Sequence, residues 1–470
     1  MQYLFYDYET TGLNEKYDQI VQFAAIRTDE EFNIIDEPID ILCKLRNDIL
    51  PSPYAFLVTK IDIDKLQENG LDEFEFAKII NKAMLGNGNQ RIIGYNSKEF
   101  DDKMTRFLFY RNFYNAYAWT YEGNNQTWDL IDIVRMGYSF DKLNGINFND
   151  NGKDTLKLEN LSRLNSISHS KAHDALSDVH ATIGLLEKIN QENPKLIQYY
   201  QTLFDSRSNL NMIKKNELIY HISYFYGYKN KFISLLMPIC KHPQFDKSYI
   251  MWDLSKNPEV LVTKNIDEIN EIRFKKKEEK EFENGLLELK LNQKPTIIKY
   301  NKKNIHPNID KELCLNNWKK VKANMDKLKL LADQFFTIEI EKEDPDADLY
   351  YGEYFNDYQS DKKNLEMITT NPKKIKIIKI QSKRFKEQLE RFEGRNYYDD
   401  LSDEWREEYD SYLKNKLLSD DLGEKWMTFK KFDLELDEII GNNELSEEDE
   451  IVLEKLTNFV ESKRELISKG

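Results

Sequence analysis

Asp7 and Glu9 stand two residues apart near the end of the stretch Gln2-Tyr-Leu-Phe-Tyr-Asp-Tyr-Glu-Thr-Thr11, just ahead of a turn at Gly12. The stretch reads as a strand, apolar and aromatic up to the acids, and side chains along a strand alternate faces. The two carboxylates therefore point the same way and lie close together. Like charges so placed repel, and burying either one costs solvation. A divalent cation between them relieves both costs, and hard oxygen ligands of this kind suit Mg²⁺ or Mn²⁺. On a solvated strand end the same pair would be two ordinary acidic residues, so its meaning depends on what the rest of the chain brings to it.

Three later residues are candidates to join it. Asp101 opens a helical stretch that runs through Arg106 and Tyr110, directly after a short apolar strand at 91–95. A carboxylate at a helix start is also a favoured cap. His173 and Asp178 lie at the entry to a periodic aliphatic stretch that reads as a helix to Lys188. Five residues exceed one helical turn, so both face one site only if His173 sits on the entering loop or first turn.

The elements around these residues are mixed. Strands are expected at 19–27, 32–35 and 39–44, joined by polar turns as an antiparallel meander. Helices are expected at 72–85, from Asp101, at 128–135 and at 156–161. An α/β domain thus extends to residue 193. Short strands at 221–226, 232–237 and 248–253, followed by a helical stretch at 311–336, make a second domain over 194–343, a small β-barrel or sandwich. After the charged, proline-interrupted segment 341–348 the chain reads as all-α, a third domain over 346–470.

With 470 residues, two or three cores are needed, and no run approaches the ~18 to 20 apolar residues of a membrane span. No basic region precedes an apolar stretch at the N-terminus, so no secretory signal is expected. Three cysteines, Cys43, Cys240 and Cys314, lack metal-type spacing and fit a reducing cytoplasm. The net charge of −15 argues against a general salt-driven grip on nucleic acid, but not against a local basic groove.

Asp7, Glu9, Asp101 and Asp178, with His173 five before the last, resemble the DEDDh family of 3′→5′ exonucleases, which have a ribonuclease H-like fold. A closer resemblance runs over nearly the whole chain. Phe5-Tyr-Asp-Tyr-Glu-Thr10, Gln22-Phe-Ala-Ala-Ile-Arg-Thr-Asp29, Phe107-Leu-Phe-Tyr-Arg-Asn-Phe-Tyr114 and Ala172-His-Asp-Ala-Leu-Ser-Asp178 are similar to segments of the bacterial exodeoxyribonuclease I family. The resemblance implies a ribonuclease H-like exonuclease domain, an SH3-like β-barrel domain and an all-α C-terminal domain. It further implies that Asp7, Glu9, Asp101 and Asp178 hold two Mg²⁺ ions, with Mn²⁺ able to substitute, and that His173 takes the proton of the attacking water. The activity implied is processive release of nucleoside 5′-monophosphates from single-stranded DNA, by a cytoplasmic monomer that acts in repair and recombination.

Glu9, Arg106, Tyr121, Arg135 and Lys157 match positions that touch the strand in that family. Tyr121 stands where a Trp is usual and Lys157 where an Arg is usual; a tyrosine still stacks, and a lysine still binds phosphate, though without a bidentate fork. Other aromatics near Asp101, among them Phe107, Phe109, Tyr110, Phe113 and Trp119, are expected in the core. Tyr199 matches one position of a pocket for the acidic C-terminal tail of single-stranded DNA-binding protein, but Asp141 and Glu217 replace basic residues there, with Lys142, Lys214 and Lys215 beside them. Two alternatives remain: an exoribonuclease with the same site, and a non-catalytic DNA-binding scaffold.

Overall fold

The computed structural model describes residues 1–470 apart from 170–173, 204–205, 274–283, 304, 340, 342, 351–352, 443–444 and 470. The chain divides into two compact units: Met1–Leu130 with Ser166–Leu185 and Ile340–Gly470, and Ile131–Asn165 with Leu186–Glu339.

The first unit is built on a five-stranded sheet. Its strands are β1 (Gln2–Thr10), β2 (Ile20–Thr28), β3 (Ile39–Leu42), β4 (Gln90–Gly94) and β5 (Gln126–Asp129), in the order β3-β2-β1-β4-β5. β1 pairs antiparallel with β2 and parallel with β4, and β4 is parallel to β5. The acidic strand is therefore central. Leu4, Tyr6 and Tyr8 on one of its faces share a core with Phe76, Ile80, Met104 and Leu108, which come from the helices Glu73–Leu85 and Asp101–Arg111.

Three local expectations are corrected, the first being the strand expected at 221–226: it ends at Ile222, and Tyr224–Tyr226 forms a tight turn capped by Ser223. Residues 32–35 form no strand, only an isolated bridge between Thr28 and Ile34. Asp29 instead accepts the N–H groups of Glu31 (3.0 Å) and Asn33 (2.8 Å), and Phe32 has a φ of 68°. A carboxylate that satisfies nearby backbone donors favours a turn over a ladder. Residues 128–129 are also extended, not helical: Trp128 and Asp129 pair with Ile93 and Gly94, and the helix Leu130–Ser139 starts only after them.

The C-terminal helices, among them Lys383–Asn396, Asp403–Leu417 and Glu447–Lys469, share cores with the α/β part. Phe107, Tyr110 and Phe113 pack with Phe385 and Phe392, while Val21, Leu50 and Phe56 pack with Leu417, Phe432 and Leu456. The expected burial of the aromatic run near Asp101 follows from this contact. A buried ionic network crosses the same boundary. Asp48, fully buried, meets Arg46 (2.9 Å), Lys416 (3.0 Å) and Arg395 (3.8 Å), and Glu73 meets Arg46 (3.3 Å) and Arg111 (3.0 Å).

Burial alone would raise the Glu73 carboxyl, but Arg111 and Arg46 beside it outweigh that and hold it at about 2. A carboxylate depressed in the folded state stabilises fully above its unfolded pKa of ~4.3, and the contribution is lost as pH falls towards the folded value. Urea midpoints measured down a pH series should therefore fall between about pH 4 and pH 2, and Glu73→Gln should flatten that part of the curve.

The second unit holds an antiparallel sheet of five strands: Leu286–Lys290, Ser248–Asp253, Ile233–Lys241, Ile219–Ile222 and Thr296–Lys299, in that spatial order. Ile219, Leu236, Met251, Leu289 and Ile297 form its core with Ile213. The helices Lys311–Ala323 and Met325–Phe336 follow the sheet, as the periodicity of 311–336 predicts. Among the described residues, no helix is long and apolar enough to cross a membrane.

Candidate active site

The tip of β1 is shaped by its own turn. The β1–β2 register shifts between Glu9 and Thr10, and Thr10 Oγ1 donates to the Gly12 carbonyl at 2.8 Å. A Cβ on Gly12 would come within 2.4 Å of the Asp18 carboxylate, which accepts the Asn14 N–H at 2.7 Å, so a larger residue here would have to displace that group. Tyr6 and Tyr8 fix the opposite face. Tyr6 donates to Asp102 at 2.6 Å, and the Tyr8 hydroxyl lies 2.9 Å from that of Thr105. Both partners belong to the helix that begins at Asp101, so the strand and the helix start are stapled together.

The turn into that helix has its own anchor. Asp129, buried at the end of β5, accepts the N–H groups of Asn96 (2.7 Å) and Lys98 (3.1 Å), while Asn96 takes a left-handed φ of 60°. Asp101 follows as the first helical residue, with Phe100 in the cap position. Asp178 comes from the first turn of the helix Ala175–Glu192, where the Asp174 carboxylate accepts the Ser177 N–H at 3.2 Å.

These elements bring the acids together. Asp7, Glu9 and Asp178 each offer a carboxylate oxygen, and the three oxygens lie within 4.8 Å of one another. Burial, reinforced by the charges of Asp101, Asp178 and Glu9, pushes the Asp7 carboxyl well above its usual range. Burial and Asp102, then Asp129 and Glu9, do the same for Asp101. Carboxylates that resist ionisation because they are buried and crowd one another are what a multivalent cation would relieve. The donor set is all oxygen, which fits Mg²⁺ or Mn²⁺ better than a soft metal.

His173 lies outside the described residues. Another histidine, unassigned by the sequence argument, touches the cluster: His169 Nε2 donates to Asp178 Oδ1 at 2.5 Å, and its side chain is buried. Nine residues separate the two across a helix entry, so no periodicity could have paired them. A hydrogen bond of this kind fixes which carboxylate oxygen faces a metal. His169→Ala should weaken divalent-metal binding about 10- to 100-fold, read by Mn²⁺ titration, with His169→Gln recovering part of the loss.

The remaining candidates are spread over both units. In the first, the Arg106 guanidinium lies over the Tyr117 ring (5.7 Å) and 4.0 Å from Asp102, while Tyr121 is exposed. Arg135, Lys157 and Tyr199 belong to the second unit. Arg135 is buried and held by Asp132 at 3.2 Å, and Lys157 is exposed. Tyr199 lines a cavity of about 390 Å³ with Lys215, Glu217, Ile297 and Lys299. Both acidic replacements noted there are neutralised: Glu217 by Lys299 (2.9 Å) and Asp141 by Lys231 (2.5 Å).

Three family models match the chain in succession: Exonuclease over residues 4–186, Exonuclease I SH3-like domain over 205–337, and Exonuclease I C-terminal domain over 343–463. Exodeoxyribonuclease I of Haemophilus influenzae is 34% identical over 440 residues, covering 88% of this chain and 90% of the relative. Its Escherichia coli counterpart is 33% identical, with 84% and 85% covered. The zinc-bound form of the E. coli ExoI–ssDNA complex superposes with a TM-score of 0.89 at 28% identity, covering 98% of this chain and 99% of that one. A structure of SSB/Exonuclease I with the inhibitor CFAM matches with a TM-score of 0.86 at 28% identity and the same coverage.

Proposed function

The chain belongs to the exodeoxyribonuclease I family, and from that premise we propose that it removes nucleoside 5′-monophosphates processively from the 3′ end of single-stranded DNA, in repair and recombination. The observation that carries this is the meeting of Asp7, Glu9 and Asp178 within 4.8 Å, with Asp101 close enough to raise Asp7. The ribonuclease H-like nuclease, SH3-like and helical domains are assigned to 1–193, 194–343 and 346–470.

Asp7, Glu9, Asp101 and Asp178 would hold two Mg²⁺ ions, for which Mn²⁺ can substitute. Bound there, the ions supply Lewis-acid polarisation of the phosphate and acidify the attacking water. The protein's own residues do the rest. The crowded carboxylates, in their ionised form, would hold the ions. His173 accepts the proton of the attacking water. His169 orients Asp178, and Glu9 sits at the 3′-terminal nucleotide. Tyr121 offers an exposed ring for stacking on an unpaired base, and Arg106, Arg135 and Lys157 meet phosphates.

The cavity beside Tyr199 is proposed as the seat of an acidic C-terminal tail from single-stranded DNA-binding protein. Lys215 and the neighbouring Lys214 supply positive charge, and Lys299 cancels Glu217. The protein would work as a monomer in the cytoplasm.

A labelled strand incubated with Mg²⁺ tests the activity, comparing DNA with RNA and 3′ with 5′ label. Mononucleotides released only from DNA 3′ ends are expected. Equal digestion of RNA would favour an exoribonuclease, and binding without cleavage would favour a scaffold.

A further inference from the structure

In the second unit, the segment Ser223-Tyr-Phe-Tyr-Gly-Tyr-Lys-Asn-Lys231 leaves the strand Ile219–Ile222 through two tight turns, Tyr224–Tyr226 and Tyr228–Asn230. The backbone is tied down. Ser223 Oγ accepts the Phe225 N–H, Gly227 adopts a φ of 64°, and the Phe232 N–H donates to the Gly227 carbonyl at 2.9 Å. Two of its four aromatics are anchored through their hydroxyls, although the Tyr228 ring is itself 44% exposed. The Tyr226 hydroxyl lies 2.9 Å from His221 Nδ1, and the Tyr228 hydroxyl accepts the Leu156 N–H at 2.9 Å.

The other two turn outward. Tyr224 is 47% and Phe225 74% exposed, and their rings lie 4.2 Å apart at 30°. Large apolar rings held in water on an ordered turn gain nothing for the fold. Two cations stand by them: the Arg135 guanidinium, paired with Asp132 at 3.2 Å, sits 5.9 Å over the Tyr224 ring, and exposed Lys157 follows directly on Leu156, which Tyr228 holds. Exposed ring faces interleaved with phosphate-binding cations match the chemistry of an unpaired nucleic-acid strand, with faces for bases and charges for the backbone.

We propose that Tyr224 and Phe225 form a base-stacking platform for single-stranded DNA, with Arg135 and Lys157 on the flanking phosphates, an assignment that rests on the single-strand exonuclease reading. Stacking on aromatic faces carries much of the affinity for an unpaired strand. Removing both rings should therefore weaken strand binding about ten- to a hundredfold.

The test uses the full chain with EDTA present and follows anisotropy of a labelled oligothymidylate and of an abasic strand of equal length. The Tyr224→Ala/Phe225→Ala variant should bind the oligothymidylate about ten- to a hundredfold more weakly, with an unchanged salt slope, because no phosphate contact is removed. On the abasic strand it should bind like the wild type. Phe225→Leu, which keeps apolar bulk without a ring, should also lose affinity, and Phe225→Trp should hold or raise it. Unchanged oligothymidylate binding, or an equal loss on the abasic strand, would overturn the platform. So would altered sedimentation with strand binding intact, which would mark the patch as a contact between copies. If the wild type digests 3′ ends and the variants bind normally, only the platform fails; if the wild type digests no strand, the exonuclease reading fails.

Discussion

Asp7→Ala should abolish cleavage while leaving the fold and single-strand binding intact. Burial raises the Asp7 carboxyl, and Asp101, Asp178 and Glu9 press on it further. Metal ligation of a scissile phosphate contributes several kcal/mol to the transition state, which is about a thousandfold or more in rate. Stability should move the other way. Without metal, the wild type holds a buried carboxyl against like charges, and the alanine variant does not. Its melting temperature without divalent cations should match or exceed that of the wild type, while Mg²⁺ should stabilise it less. Nucleotide release at the wild-type rate would overturn the assignment.

Asp48→Ala should cost about 3–5 kcal/mol of stability, the range for removing one partner of a buried ion pair. Burial would raise the Asp48 carboxyl, but Arg46, Lys416 and Arg395 outweigh it and hold it well below the usual range. Deleting it strands three cations in a closed interior, where the Asp346–Arg395 and Glu73–Arg46 pairs compensate only in part. Because Arg46 precedes β4 and Lys416 belongs to a C-terminal helix, the loss should loosen the C-terminal helices from the α/β core. Urea unfolding should show a lower midpoint, and hydrogen exchange should show earlier opening across residues 403–417. As a control, breaking the exposed Lys469–Glu465 pair should change little, within about 1 kcal/mol.

The acids were legible because each sits where a local rule already has force. Asp7 and Glu9 share a face by the period of a strand, and Asp101 and Asp178 mark starts of strongly periodic helices. What holds them was less so. Asp129 reads as part of a helix, yet it ends a strand and anchors the turn before Asp101 through two backbone N–H groups. That role depends on parallel pairing with β4, a long-range contact that no local pattern carries. The missed turn at Asp29 is different: the carboxylate and Asn33 were in view, but apolar Phe32, Ile34 and Ile35 suggested a strand. His169 met Asp178 only through the fold.

The central claim is that these acids converge on divalent cations, and it is tested most directly by a crystal soaked with Mn²⁺ and a short single strand. Anomalous density bounded by Asp7, Glu9 and Asp178, next to the terminal phosphodiester, is the predicted result. Manganese bound elsewhere, with these carboxylates bare and the strand's 3′ end away from them, would contradict it.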